Sequence, residues 1–145
     1  MSKAEKIVER PHPEYGSDVI VDLLKAFDIE YISFNPGATF RGLHDSLVNY
    51  SGNHMPEIIS CTHEESAVAI AHGYGRAKGR PMVTVLHNVV GLQHGAMAIY
   101  NAWCDRVPVI VMGGTGPMDT ARRRPWIDWV HTALVQGTLV RDFVK

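Results

Sequence analysis

The group best placed to do chemistry is a carboxylate at a strand-to-helix junction. Glu64 lies in Cys61-Thr62-His63-Glu64-Glu65-Ser66, where a β-like run, Glu57 to Cys61, meets a stretch patterned as a helix of about four turns. The helix opens with small apolar residues, Ser66-Ala67-Val68-Ala69-Ile70-Ala71, which let neighbours come close and exclude water. A carboxyl group there is expected to have its charged form disfavoured and its pKa raised, which makes it a proton donor. A plainer reading stands beside this one: Glu64 and Glu65 are acids that complement the positive end of a helix macrodipole.

Other chemistries fit the residues less well. A dinucleotide fingerprint needs G-x-G-x-x-G between a strand and the helix it opens. Gly73-Tyr74-Gly75 ends a helix instead, and Asn35-Pro36-Gly37 has one glycine. Eight histidines suggest zinc, yet His63-Glu64 lacks the second histidine of H-E-x-x-H, because position 67 is Ala67. His63 and His72 would face opposite sides of a helix, and no acid or thiol stands at ligand spacing from His87 and His94. No metal site is therefore expected in this chain. No G-x-S-x-G serine elbow occurs either.

The elements that must position Glu64 follow from periodicity and punctuation. Residues 1–15, with Pro11 and Pro13, read as an arm, and 16–145 as one domain. Ser17 is a candidate N-cap for a helix over 17–28. Tyr31 to Phe34 reads as a strand ending in the turn Asn35-Pro36-Gly37-Ala38. Phe40, Leu43, Leu47 and Val48 mark a second helix, closed near Ser51-Gly52-Asn53. After the Ile58–Cys61 strand, the helix over 64–78 stops at Gly79-Arg80-Pro81. Met82 to Leu86 is a continuous apolar run of buried parallel-strand type. A turn and a helix to about Trp103 follow, then a buried strand over Val107 to Met112 and the turn Gly113 to Pro117. A helix near Trp126 to Val135 and a β-like segment, Leu139 to Val144, complete the pattern. Alternating strands and helices with apolar strands predict an α/β doubly wound, mainly parallel sheet with helices on both faces. Sites in such sheets form at the carboxyl ends of the strands.

Composition narrows the function classes. The formal net charge is -1, and the only cationic block is Arg122-Arg123-Arg124, which reads as a solvated face or a local anion contact, so no nucleic-acid partner is expected. There is no apolar run long enough for a membrane span and no signal-peptide pattern, which points to a cytoplasmic protein. The two cysteines, Cys61 and Cys104, read either as a disulfide or, better, as two buried thiols in a reducing compartment.

The run His63-Glu64-Glu65-Ser66-Ala67 to Gly79-Arg80-Pro81 resembles the N-terminal, pyrimidine-binding (PYR) domain of thiamine-diphosphate enzymes of the acetolactate synthase, pyruvate oxidase and benzoylformate decarboxylase group. Glu64 precedes Gly73-Tyr74 by the nine residues that the family pattern has, although Gly75 stands where alanine is usual. Phe34-Asn35-Pro36-Gly37, Leu86 to Gly91, Asn101-Ala102-Trp103 and Val107 to Val111 resemble the family's other segments in order. The resemblance covers about residues 15 to 145.

It implies that Glu64 hydrogen-bonds N1' of the aminopyrimidine of thiamine diphosphate and is catalytic, and that His87 relays protons to a carbonyl-derived group. Asn35, Pro36, Gly37, Gly91 and His94 are the implied cofactor contacts. Ala38, His87 and Asn88 are the implied substrate contacts, with Ala38 standing where the decarboxylase has a carboxylate-binding serine. The G-D-G run that holds the diphosphate and Mg2+ in this family does not occur here. The implied partner is the diphosphate-binding domain of a second subunit in a homo-oligomer, a dimer or tetramer, acting on a small 2-oxo acid. The chain alone is expected to bind cofactor weakly, as the first domain of a longer enzyme truncated before its last helix. The alternative is a non-catalytic module, or one subunit of a split decarboxylase, that pairs with a partner chain.

Overall fold

The structure, a computed structural model, describes residues 12–145, so most of the expected arm lies outside the described residues. Four parallel strands form one sheet: β1 (Tyr31–Phe34), β2 (Glu57–Ser60), β3 (Met82–Leu86) and β4 (Val109–Gly113), in the order β2-β1-β3-β4. The helices are α1 (Gly16–Ala26), α2 (Arg41–Asp45, continued by a π turn Ser46–Tyr50), α3 (Glu64–Lys78) and α4 (Val90–Cys104). This is the expected α/β architecture.

Side-chain alternation along β1 and β3 divides the core. Ile32, Phe34, Val83 and Val85 pack on Val21 and Leu24 of α1 and on Leu43 and Leu47 of the α2 region. Leu86 packs on the other face with Val68 of α3 and Leu92 and Ile99 of α4. Each such Ile or Leu, fully buried, contributes about 1.5–3 kcal/mol. Ser33, fully buried on the α3 side, donates its hydroxyl to Ala67 O at 2.8 Å, so the alanine-rich helix start sits directly on β1.

The Gly-Tyr motif of α3 serves the opposite end of the sheet. Tyr74 Oη donates to Glu30 Oε2 at 2.6 Å, which pushes the phenol up to about 12, and Arg80 bonds Glu30 and Asp28. These contacts tie the end of α3 to the start of β1. Gly79, at φ 68°, closes the helix in the left-handed region, as expected.

Several expectations are corrected. The N-cap of α1 is Tyr15, not Ser17; the Asp18 carboxylate accepts the N–H groups of Glu14 and Tyr15, while the Ser17 hydroxyl accepts from Ser46. β4 is an edge strand and only half buried, with Ile110 exposed, because it pairs with β3 alone. Trp126 to Val135 is not a helix, and Leu139 to Val144 is not a strand. The segment forms short 3-10 turns, Thr120–Arg122, Asp128–His131, Gln136–Leu139 and Arg141–Phe143. Its large apolar side chains, Trp126, Trp129, Leu134 and Val135, face solvent, so their spacing gains no burial. Side chains cap its carbonyls instead: His131 Nδ1 donates to Ile127 O and Thr132 Oγ1 to Asp128 O. Cys61 is buried, Cys104 is exposed, and both are free thiols.

The arginine block is internally satisfied, in line with its plainer reading. Arg122 pairs with Asp119, Arg123 donates to Pro117 O, and Arg124 holds Asp128.

Candidate functional site

The strand order reverses between β1 and β3: the chain leaves β1 toward β2 on one side and leaves β3 toward β4 on the other. A crevice opens at such a switch point, outside the carboxyl ends of the strands. The residues there are Asn35 after β1, His87 after β3, and Glu64 at the head of α3.

Glu64 is the first residue of α3 and is 5% exposed. His63, the N-cap, accepts the Glu65 N–H on its Nδ1 at 3.2 Å. His94, one turn into α4 and half exposed, approaches Glu64 Oε2 with Nδ1 at 3.3 Å. Burial favours the neutral acid, but a hydrogen bond from the Asn35 amide, Glu64's own backbone N–H and His94 together outweigh it. The net effect holds the carboxyl below its ordinary value of 4.5. The expected upward shift is therefore reversed: apolar helix neighbours were visible in the sequence, whereas the donors from β1 and α4 were not.

Two glycines bring these groups together. A Cβ on Gly91 would stand 3.0 Å from His87 Cβ and 3.2 Å from Glu64 Cγ, so only glycine lets the start of α4 close over both. A Cβ on Gly37 would fall on the His87 imidazole, which fixes the β1 turn against the β3 turn. Asn35, Gly37, Glu64, His87, Gly91 and His94 thus form one cluster. Pro36 and Ala38 are exposed on the same β1 turn, with Ala38 opening a 3-10 turn, Ala38–Phe40.

Asn88 lies behind the cluster and is fully buried. Its Nδ2 donates to His131 O at 2.5 Å, and its Oδ1 accepts from Thr39 Oγ1 at 3.2 Å. Gln136 completes this framework, accepting the Val89 N–H at 2.6 Å and donating to Gly114 O. The turns after β1, β3 and β4 are therefore held as a unit. Val89 sits at φ 55°, a sparsely allowed region for a β-branched residue, and the Gln136 contact helps fix it there.

Sequence reasoning missed Thr39, His131 and Gln136. They reach the site from turns distant in the chain, and no local spacing marks them. It also missed that His63 and His94 stack on each other beside Glu64, with centroids 4.9 Å apart and planes 18° from parallel. Potential metal-binding atoms of His63, Glu64 and His94 lie within 4.8 Å of one another. Parallel rings set their lone pairs side by side rather than toward one point, and each has its own partner: His63 Nδ1 takes the Glu65 N–H and His94 Nδ1 meets Glu64.

Doubly wound domains bind their ligands at the switch point, and here a buried acid, Glu64, stands at it. The particular family follows from comparison with known proteins. The model of the thiamine pyrophosphate enzyme N-terminal TPP binding domain matches residues 15–137, and the chain belongs to that family. It is 29% identical over 118 residues to the acetolactate synthase large subunit of Lactococcus lactis, covering 81% of this chain and 20% of that one. It is 28% identical over 150 residues to the chloroplastic acetolactate synthase 2 of Nicotiana tabacum, covering 97% and 22%. In fold it resembles benzoylformate decarboxylase from Polynucleobacter necessarius, with a TM-score of 0.74 at 22% identity over 89% of this chain and 23% of that one. The chain spans about a fifth of the length of the curated relatives it matches. Among the described residues, no helix is long and apolar enough to cross a membrane.

Proposed function

We propose that this chain forms the pyrimidine side of an active site that uses thiamine diphosphate on small 2-oxo acids, as a decarboxylase or an acetolactate synthase-like carboligase. One observation carries the reading: Glu64 is a buried carboxylate held in its charged form at the switch point. Such a group is an acceptor for a protonated ring nitrogen, and burial strengthens that bond. The residues fit the cofactor in this respect. Glu64 lies beside the half-exposed His94, and the absence of a side chain at Gly37 and Gly91 lets His87 and Glu64 close together at the crevice.

Thiamine diphosphate, when bound, supplies the nucleophilic carbon. Glu64 accepts from N1' and favours the ring form that carries a proton there. Asn35 and His94 orient the carboxylate, and the backbone of Pro36, Gly37 and Gly91 lines the ring site. His87 holds an exchangeable proton near the substrate, with Ala38 beside it as a small, apolar wall. Asn88, its amide already engaged, is reassigned from substrate contact to positioning residue for His87 and His131. The diphosphate and Mg2+ are held by the diphosphate-binding domain of a second subunit in a homodimer or tetramer, in a cytoplasmic setting that keeps both thiols free.

The test is Glu64→Gln in the complete enzyme, assayed against a panel of 2-oxo acids with added thiamine diphosphate and Mg2+. An amide cannot act as the anionic acceptor, so turnover falls by about 100-fold or more. A rate near wild type would remove Glu64 from the role.

A further inference from the structure

We propose that His131 pairs with His87 to form a second proton-transfer centre beside Glu64, acting on the carbonyl oxygen of the 2-oxo acid; this rests on the cofactor reading above. The two imidazoles come from different turns, His87 from the end of β3 and His131 from the turn Asp128–His131. Their ring centroids lie 5.2 Å apart, with planes tilted by 47°.

Both rings are set in the same tautomer by backbone carbonyls. His131 Nδ1 is 2.9 Å from Ile127 O, and His87 Nδ1 is 3.3 Å from Asn88 O. A carbonyl oxygen only accepts, so each Nδ1 carries the hydrogen and each neutral ring keeps a bare, basic Nε2. Asn88 binds the pair together. Its carbonyl accepts from His87, and its side-chain amide donates to the His131 carbonyl at 2.5 Å. One fully buried residue thereby ties the His87 ring to the main chain that carries the His131 ring, an arrangement that a lone strand-end histidine does not need.

Charged and apolar groups from three elements face the pair. Glu64 of α3 approaches His87 across Gly91, and Asp128 lies on the His131 turn, its own charge balanced by Arg124. Phe40 faces His87 at 6.2 Å and adds an apolar wall. When the carbonyl carbon of a 2-oxo acid is attacked, its oxygen gains negative charge. A protonated Nε2 of the pair transfers its proton to that oxygen, forming an O–H bond and leaving a neutral imidazole. The half-buried second ring passes a solvent proton back. One proton is lost by the pair and one regained, with no change of oxidation state.

The test uses the complete enzyme loaded with thiamine diphosphate and Mg2+. His131→Asn places an amide N–H near the Nδ1 position and deletes Nε2; His131→Gln serves if that variant melts early. The expected result is a kcat loss of about 100-fold, disappearance of the histidine limb from the pH–rate profile, and a His87→Asn/His131→Asn double variant little worse than either single. A folded His131 variant with wild-type rate and profile, alongside an inactive Glu64→Gln, overturns the pair and leaves the cofactor reading standing. An active Glu64→Gln overturns the cofactor reading itself. In the wild-type chain, 15N spectra should show both rings as Nδ1–H tautomers with linked titrations; independent titrations, or Nε2–H tautomers, overturn the pair.

Discussion

His94 Nδ1 lies 3.3 Å from Glu64 Oε2, joining the heads of two successive helices at the point where the sheet reverses its winding. This contact, with the Asn35 amide and the Glu64 backbone N–H, outweighs a burial that by itself raises the pKa of the acid. The fold itself therefore holds Glu64 as a hydrogen-bond acceptor. Its charge depends on neighbours drawn from three parts of the chain.

Replacing His94 with leucine removes one of those donors and leaves burial less opposed. The Glu64 titration midpoint, followed by 13C NMR of the side-chain carboxyl, should move upward. His94→Asn, which retains a donor without a charge, should move it less. An unchanged midpoint in His94→Leu would show that Asn35 and the backbone suffice.

The close approach at Gly91 gives a prediction with an internal control. Gly91→Ala places a methyl group 3.0 Å from the Leu86 carbonyl carbon and from His87 Cβ, neither of which can yield without moving the turn. A cost of about 1–3 kcal/mol and a displaced Glu64 and His87 are expected. Gly73, also a helix position, has open space where its Cβ would be, so Gly73→Ala should stabilise by about 0.5–1 kcal/mol. Denaturant midpoints of the two variants should move in opposite directions, and a shared direction would contradict the packing described.

Gly75 stands where the family pattern has alanine, and its surroundings explain why. A Cβ there would meet Val107 Cγ1 at 2.7 Å and the Pro108 carbonyl oxygen at 2.9 Å. Gly75→Ala restores the family residue, yet here it should lower the melting temperature unless Val107 is trimmed as well. Gly75→Ala/Val107→Ala should recover part of the loss. A stabilising single substitution would mean that α3 and the start of β4 can separate freely.

What was legible in the sequence was what local pattern encodes. β3 announces itself because all five residues are buried and apolar or β-branched, and α3 because its caps and small-residue start are contiguous. Asn35, Gly37, Glu64 and His87 were found because a parallel sheet puts strand ends at one edge. The ionisation of Glu64, the second imidazole at His131 and the clamp through Asn88 were not legible, since each depends on partners more than 25 residues away. The segment after β4 misled for the opposite reason. Trp126, Trp129, Val130 and Leu134 carry helical spacing, but the described fold offers no surface for them to bury against.

Asp128 holds that segment in place and carries the last prediction. Its buried carboxylate accepts from the Arg124 backbone N–H at 2.6 Å and from the Arg124 guanidinium at 3.0 Å, and the Arg124 side chain is the main cause that keeps it below its ordinary value of 3.8. A lowered carboxyl pKa stabilises the fold above the ordinary value and loses that contribution as pH falls through the lowered one. Glu64 behaves in the same sense from its ordinary 4.5 downward. On acidification the turn carrying His131 and the head of α3 should therefore loosen before β3, whose buried residues do not titrate. Hydrogen-exchange protection should fall first across residues 119–132 and 63–66, while Val83 to Leu86 stay protected. Asp128→Ala should produce the 119–132 loss already at neutral pH, freeing His131 from His87. Equal protection in wild type and Asp128→Ala would show that the turn is held by Gln136 and Thr132 alone.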